Sequence, residues 1–109
     1  MFYEFLGTFF LLWCIYWLEG DPFGLVCTIL FGIIVTGRFT GAHFNPAVTL
    51  AISVGFTCSH RTGGQKLNLF IAAIVGEVIG GLSAGLLTLA IDPSVLCNLP
   101  NSFTEIKEY

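Results

Sequence analysis

Charge is what this chain has least of. Asp, Glu, Lys and Arg make up 10% of its 109 residues, against roughly a quarter in a soluble globular domain. Four basic residues against seven acidic ones give a formal net charge of −3. No basic patch exists, which excludes a nucleic-acid partner. Metal ligands are scarce as well. The four cysteines Cys14, Cys27, Cys58 and Cys97 show no C-x-x-C spacing, and Cys58 with His60 falls short of a usual ligand set. No metal and no cofactor is expected. Cys14 and Cys27 lie in apolar stretches, where cysteine behaves as a small hydrophobe. No nucleophile–base pair is suggested either, so an enzyme is not expected. The first apolar run is a poor signal peptide: no Lys or Arg precedes it, Glu4 sits in its first turn, and the run is too long.

Apolar length fills the space that charge leaves. Hydrophobic residues are 55% of the chain and the mean hydropathy is +0.86. Three runs approach or exceed the ~17–25 residues of a spanning helix: residues 2–18, 23–39 and 67–91. Between the first two lies the short acidic turn Glu19-Gly20-Asp21-Pro22. A polar loop from Thr57 to Lys66 precedes the third, and residues 92–109 form a polar tail.

The stretch around which the rest is arranged is Gly41-Ala42-His43-Phe44-Asn45-Pro46-Ala47-Val48-Thr49. Asn caps a helix with its side chain, and Pro suits the first helical position because its missing N–H would be unpaired there anyway. A short helix therefore starts here and ends near Gly55. Set between spanning segments, its free N–H groups and positive dipole end are tolerated only against protein or a water-filled cavity.

Two carboxylates interrupt the apolar runs. Glu4 shares a helical face with Gly7, Thr8 and Leu11, and small residues mark close helix approach in a membrane. Glu4 is thus expected to point into the protein. Glu77 lies near the middle of the third run, where an ionised carboxylate costs roughly 2.5–3.5 kcal/mol on insertion scales. Its face carries Ala73, Gly80, Gly81, Ala84 and Thr88. The spacings Gly76 to Gly80 and Gly81 to Gly85 predict tight packing there. Glu77 reads as helix-packing glue, with an ion relay as the alternative. Arg38, Arg61 and Lys66 flank the central loop, against Lys107 alone on the other side. That bias places the N-terminus and the loop on the inside and the tail outside.

The nine residues from Gly41 to Thr49 resemble the first Asn-Pro-Ala signature of the aquaporin and aquaglyceroporin (major intrinsic protein) family. Glu4-Phe5-Leu6-Gly7-Thr8 resembles that family's first helix, and Ala72-Ala73 with Gly76 and Gly80 more loosely its third. The resemblance implies an all-α membrane protein: three transmembrane helices plus one re-entrant half-helix at 41–55, half of the family's inverted-repeat fold. It implies that the Asn45 side-chain amide donates to a passing oxygen, and that Pro46 and Ala47 hold the meeting point of two half-helices. It also implies that the backbone carbonyls of Gly41, Ala42, His43 and Phe44 line a single-file path. Glu4 takes the position of a carboxylate that braces loop backbone groups. Counting back from Asn45, Leu25 falls at a filter position that is often aromatic in the family, with Phe23 two residues away. Glu77 stands where the family has a small residue.

One Asn-Pro-Ala motif is present, and a lone repeat cannot enclose a pore. Two readings follow. The first is a passive channel for water or small neutral solutes, completed by a second half-repeat, either another chain or an antiparallel copy of this one. The second is a non-conducting structural subunit among other transmembrane subunits of a larger membrane complex. Membrane lipid is a partner in both. For Asn45 the capping role alone explains the residue type, and for His43 a backbone role is favoured over a ligand role.

Overall fold

The computed structural model describes residues 1–55 and 63–96. It is all-helical: α1 (Phe2–Trp17), α2 (Pro22–Thr40), α3 (Pro46–Gly55) and α4 (Gly63–Ile91), followed by a short 3-10 turn, Pro93–Leu96. The readings made of Cys58, His60, Arg61, Cys97 and Lys107 lie outside the described residues.

Local chemistry sets the helix ends. Glu19 and Gly20 adopt left-handed backbone (φ 47° and 87°) and reverse the chain after α1. Asp21 then caps α2, its carboxylate accepting from the N–H groups of Phe23 (3.3 Å) and Gly24 (2.8 Å), with Pro22 at the first helical position. Gly41 closes α2 in the left-handed region at φ 95°, its N–H donating to the Gly37 carbonyl. The start of α4 lies at Gly63, four residues before the expected apolar boundary at Leu67. Hydropathy marks where a helix becomes apolar, whereas the helical hydrogen bonding here begins in the polar stretch before it.

Helix α1 is central. It packs most extensively on α4 and less so on α2, while α3 packs on α4. The seam with α4 depends on two glycines. A Cβ at Gly76 would lie 2.5 Å from the Met1 carbonyl oxygen, and one at Gly80 would lie 2.6 Å from that of Phe5. The second G-x-x-x-G spacing does not form a seam. Gly81 approaches only the Leu12 side chain, and Gly85 has nothing within 4 Å. At the far end the Tyr16 hydroxyl donates to Asp92 at 2.7 Å, tying α1 to the chain just beyond α4.

The interior is small and polar and the exterior is large and apolar, the reverse of a soluble domain. Glu4, Thr8, Thr36, Thr49, Glu77 and Thr88 are buried, while Phe23, Ile34 and Leu86 are among many exposed apolar side chains. Two threonines of α2 fit the apolar helix by bonding back to it. Thr28 and Thr36 donate to the carbonyls of Gly24 (2.9 Å) and Gly32 (3.0 Å). An exterior of this kind suits lipid or further helices.

Candidate functional site: the loop ahead of helix α3

The loop from Gly41 to Asn45 is held from three sides. Ala42 and Phe44 both sit in left-handed backbone, at φ 54° and 53°. Non-glycine residues rarely adopt this region, and two together need the surroundings to enforce them. Glu4, 1% exposed on α1, supplies one restraint. Its carboxylate accepts from the His43 N–H at 3.3 Å and the Phe44 N–H at 2.9 Å. The Phe44 ring supplies the second, buried against α1 and α2 over Gly7 and Gly32. A Cβ at Gly7 would overlap the ring, and one at Gly32 would come within 2.8 Å of it.

The third restraint comes from α4. The hydroxyl of Thr49, in the first turn of α3, donates to Glu77 Oε1 at 2.5 Å. The Thr49 hydroxyl oxygen also lies 2.9 Å from His43 Nδ1. Glu4 and Glu77 therefore hold the two ends of one segment, Glu4 through the loop backbone and Glu77 through Thr49. Thr49 and His43 are the partners that sequence reasoning did not supply for Glu77. Their signal was a Thr inside an apolar short helix and a His six residues before it, one on each side of Asn45-Pro46-Ala47.

Asn45 caps α3 with backbone and side chain. Its carbonyl accepts from the Thr49 N–H at 3.0 Å, and its Oδ1 accepts from the Ala47 N–H at 2.8 Å. This assignment leaves the side-chain NH2 as a donor on an exposed residue, beside exposed Pro46 and Ala47. Leu25 is half-buried in the first turn of α2. Behind the loop lies a cavity of about 310 Å3, its polar lining contributed by Glu4, Thr40, His43, Thr49, Ser53 and Lys66.

Among the described residues, α2 and α4 are long and apolar enough to cross a membrane. Together with the apolar exterior they fit an all-helical integral membrane protein with a short capped helix packed among longer ones. The chain is 33% identical to aquaporin-8 of Notomys alexis over 100 residues, 83% of this chain and 36% of that protein. It is 32% identical to aquaporin-1 of Rhizopus delemar over 73% of this chain and 24% of that protein. It is 27% identical to the lens fiber major intrinsic protein of Lithobates pipiens over 88% of this chain and 38% of that protein. No family model matches the chain, and no solved structure does. The chain belongs to the aquaporin, or major intrinsic protein, family. It spans about a quarter to two-fifths of the length of the curated relatives it matches.

Proposed function

We propose that residues 1–91 are one half-repeat of a passive channel for water or small neutral solutes, conducting when joined to a second half-repeat. In this reading α1, α2 and α4 span the membrane and α3 is the re-entrant half-helix. At ten residues α3 is about 15 Å long, half the ~30 Å hydrocarbon core. The bias of the basic residues supports an N-terminus and loop on the inside and a polar segment from Asp92 onward on the outside. The observation that carries the proposal is Asn45. Its Oδ1 is used by the cap, so its NH2 is aimed outward as a hydrogen-bond donor at the positive end of a helix. A fixed donor there can replace one of a solute's water partners, while the dipole opposes cations and protons.

A second reading is supported by the unpartnered outer faces of α2, which among the described helices packs on α1. In it the chain is a non-conducting structural subunit, its exposed apolar surface covered by other transmembrane subunits. Native particle size in mild detergent, with mass spectrometry of the components, separates the two. A particle containing a second half-repeat, or a small symmetric oligomer of this chain, supports the channel. A large hetero-complex without any second half-repeat beside this chain removes it.

A further inference from the structure

Glu77, Thr49 and His43 form one continuous hydrogen-bonded row from the centre of α4 to the cavity behind the loop. The row is short and polar in otherwise apolar surroundings. Glu77 and Thr49 are each 1% exposed, and both Thr49 and His43 line the cavity. Thr49 has one hydroxyl proton to share between two neighbours. It donates to Glu77 Oε1, so His43 must present Nδ1–H to the Thr49 oxygen. The roles can also run the other way. A protonated Glu77 donates to Thr49, Thr49 donates to Nδ1, and the ring proton then sits on Nε2. Glu77 Oε2 is buried with no hydrogen-bond partner among the described residues. The backbone N–H of Asn45 faces the carboxyl, yet the ionised form still leaves Oε2 without a hydrogen bond, and a proton on the carboxyl removes that charge.

We propose that Glu77, Thr49 and His43 constitute a one-proton binding site, loaded from the cavity, whose occupancy sets whether His43 offers the cavity an acceptor or a donor. Loading takes one proton from a hydronium ion in the cavity onto Nε2 and leaves a neutral water behind. The Nδ1–H bond breaks as a proton passes to the Thr49 oxygen, and the former Thr49 hydroxyl proton passes to Glu77 Oε1. One proton enters; three N–H or O–H bonds form and three break, namely the hydronium O–H, His43 Nδ1–H and the former Thr49 O–H. The imidazole ends neutral in the other tautomer, and the carboxylate ends as a neutral acid. The charged and titratable groups around the row are few. Glu4 faces it from α1, the Met1 end of α1 packs on Gly76, and Lys66 on α4 lines the same cavity. Helix α3, at Pro46–Gly55, contributes no titratable residue. The site stands on the geometry of this chain and does not depend on conduction.

The test is nitrogen NMR of the two His43 ring positions in the full chain in lipid bilayers as pH falls, alongside infrared detection of protonated carboxyl. An isolated histidine gains a second N–H on acidification. Here Nδ1 is expected to lose its proton as Nε2 gains one, with a carboxyl band growing at the same midpoint. Glu77→Gln should abolish both the band and the tautomer exchange. Thr49→Val should uncouple His43 from Glu77, while Thr49→Ser, which keeps the hydroxyl, should preserve the exchange. An imidazolium forming in the wild type without any Glu77-dependent band overturns the proposal. So does a His43 titration identical in the wild type and Glu77→Gln. The Thr49→Ser and Glu77→Gln pair decides the matter even where Thr49→Val fails to fold.

Discussion

The hydroxyl of Thr49 lies 2.5 Å from Glu77 Oε1, with both side chains almost wholly withdrawn from solvent. This bond joins α3 to α4. It fixes the depth and rotation of the short helix that carries Asn45. Removing one partner leaves the other buried and unpaired, which costs about 1–3 kcal/mol. Glu77→Ala is therefore expected to destabilise the protein by that order, and Glu77→Gln by less, because the amide oxygen still accepts. Thermal unfolding in detergent checks the ranking. Equal melting temperatures for the wild type and Glu77→Ala would remove the bond's structural role.

The Glu4 clamp acts on backbone rather than side chain. Glu4→Ala leaves the N–H groups of His43 and Phe44 without their carboxylate while Ala42 and Phe44 remain in left-handed backbone. The loop should then open locally. Amide hydrogen exchange at residues 42–45 should speed by at least tenfold, the ratio that about 1.4 kcal/mol corresponds to, with exchange in mid-α2 little changed. Unaltered exchange in the loop would contradict the clamp.

Phe44 makes a size prediction. Gly7→Ala places a methyl in the volume of the Phe44 ring, so either the ring or α1 must move. Overpacking of this kind costs typically about 1–3 kcal/mol. Gly85→Ala is the matched control on α4. Among the described residues no other part of the chain comes within 4 Å of the added Cβ, and Ala is favoured over Gly in a helix interior by up to ~1 kcal/mol. Opposite signs of the two shifts in melting temperature are expected. A destabilised Gly85→Ala would show that this face is packed in the assembled protein.

The helices were legible in the sequence because each coincides with an apolar run bounded by Gly, Pro or Asp. The runs set at 2–18, 23–39 and 67–91 correspond to helices at Phe2–Trp17, Pro22–Thr40 and Gly63–Ile91. Less legible was how the faces meet. Helical spacing places Gly80, Gly81 and Ala84 on one side of α4, yet the rotation of α1 determines that Gly76 and Gly80 touch backbone while Gly85 stays open. The partners of Glu77 were hidden for the same reason. Thr49 is 28 residues away and becomes its neighbour only through the packing of α3 on α4. The family signature was readable because it is contiguous.

Asp92 gives a pH prediction outside the membrane-spanning segments. Hydrogen bonds from the Ser94 hydroxyl, the Tyr16 hydroxyl and the Ser94 N–H hold its carboxyl below the usual carboxylate range. A folded-state value below the unfolded one means the contribution is present above the unfolded pKa and fades as pH falls through the folded one. Tyr16→Phe should therefore speed amide exchange at the end of α4 at neutral pH and have little effect once Asp92 is protonated. A Tyr16→Phe effect that is independent of pH would show that packing, not the Asp92 bond, ties this end.

The central claim concerns Asn45, and the most direct measurement is osmotic swelling of vesicles containing the native assembled particle, followed by stopped-flow light scattering. The wild type should swell well above protein-free vesicles, and Asn45→Val, incorporated to the same level, should return swelling to the protein-free rate. Swelling no faster than protein-free vesicles from an intact particle, or an undiminished rate with Asn45→Val, would contradict the channel.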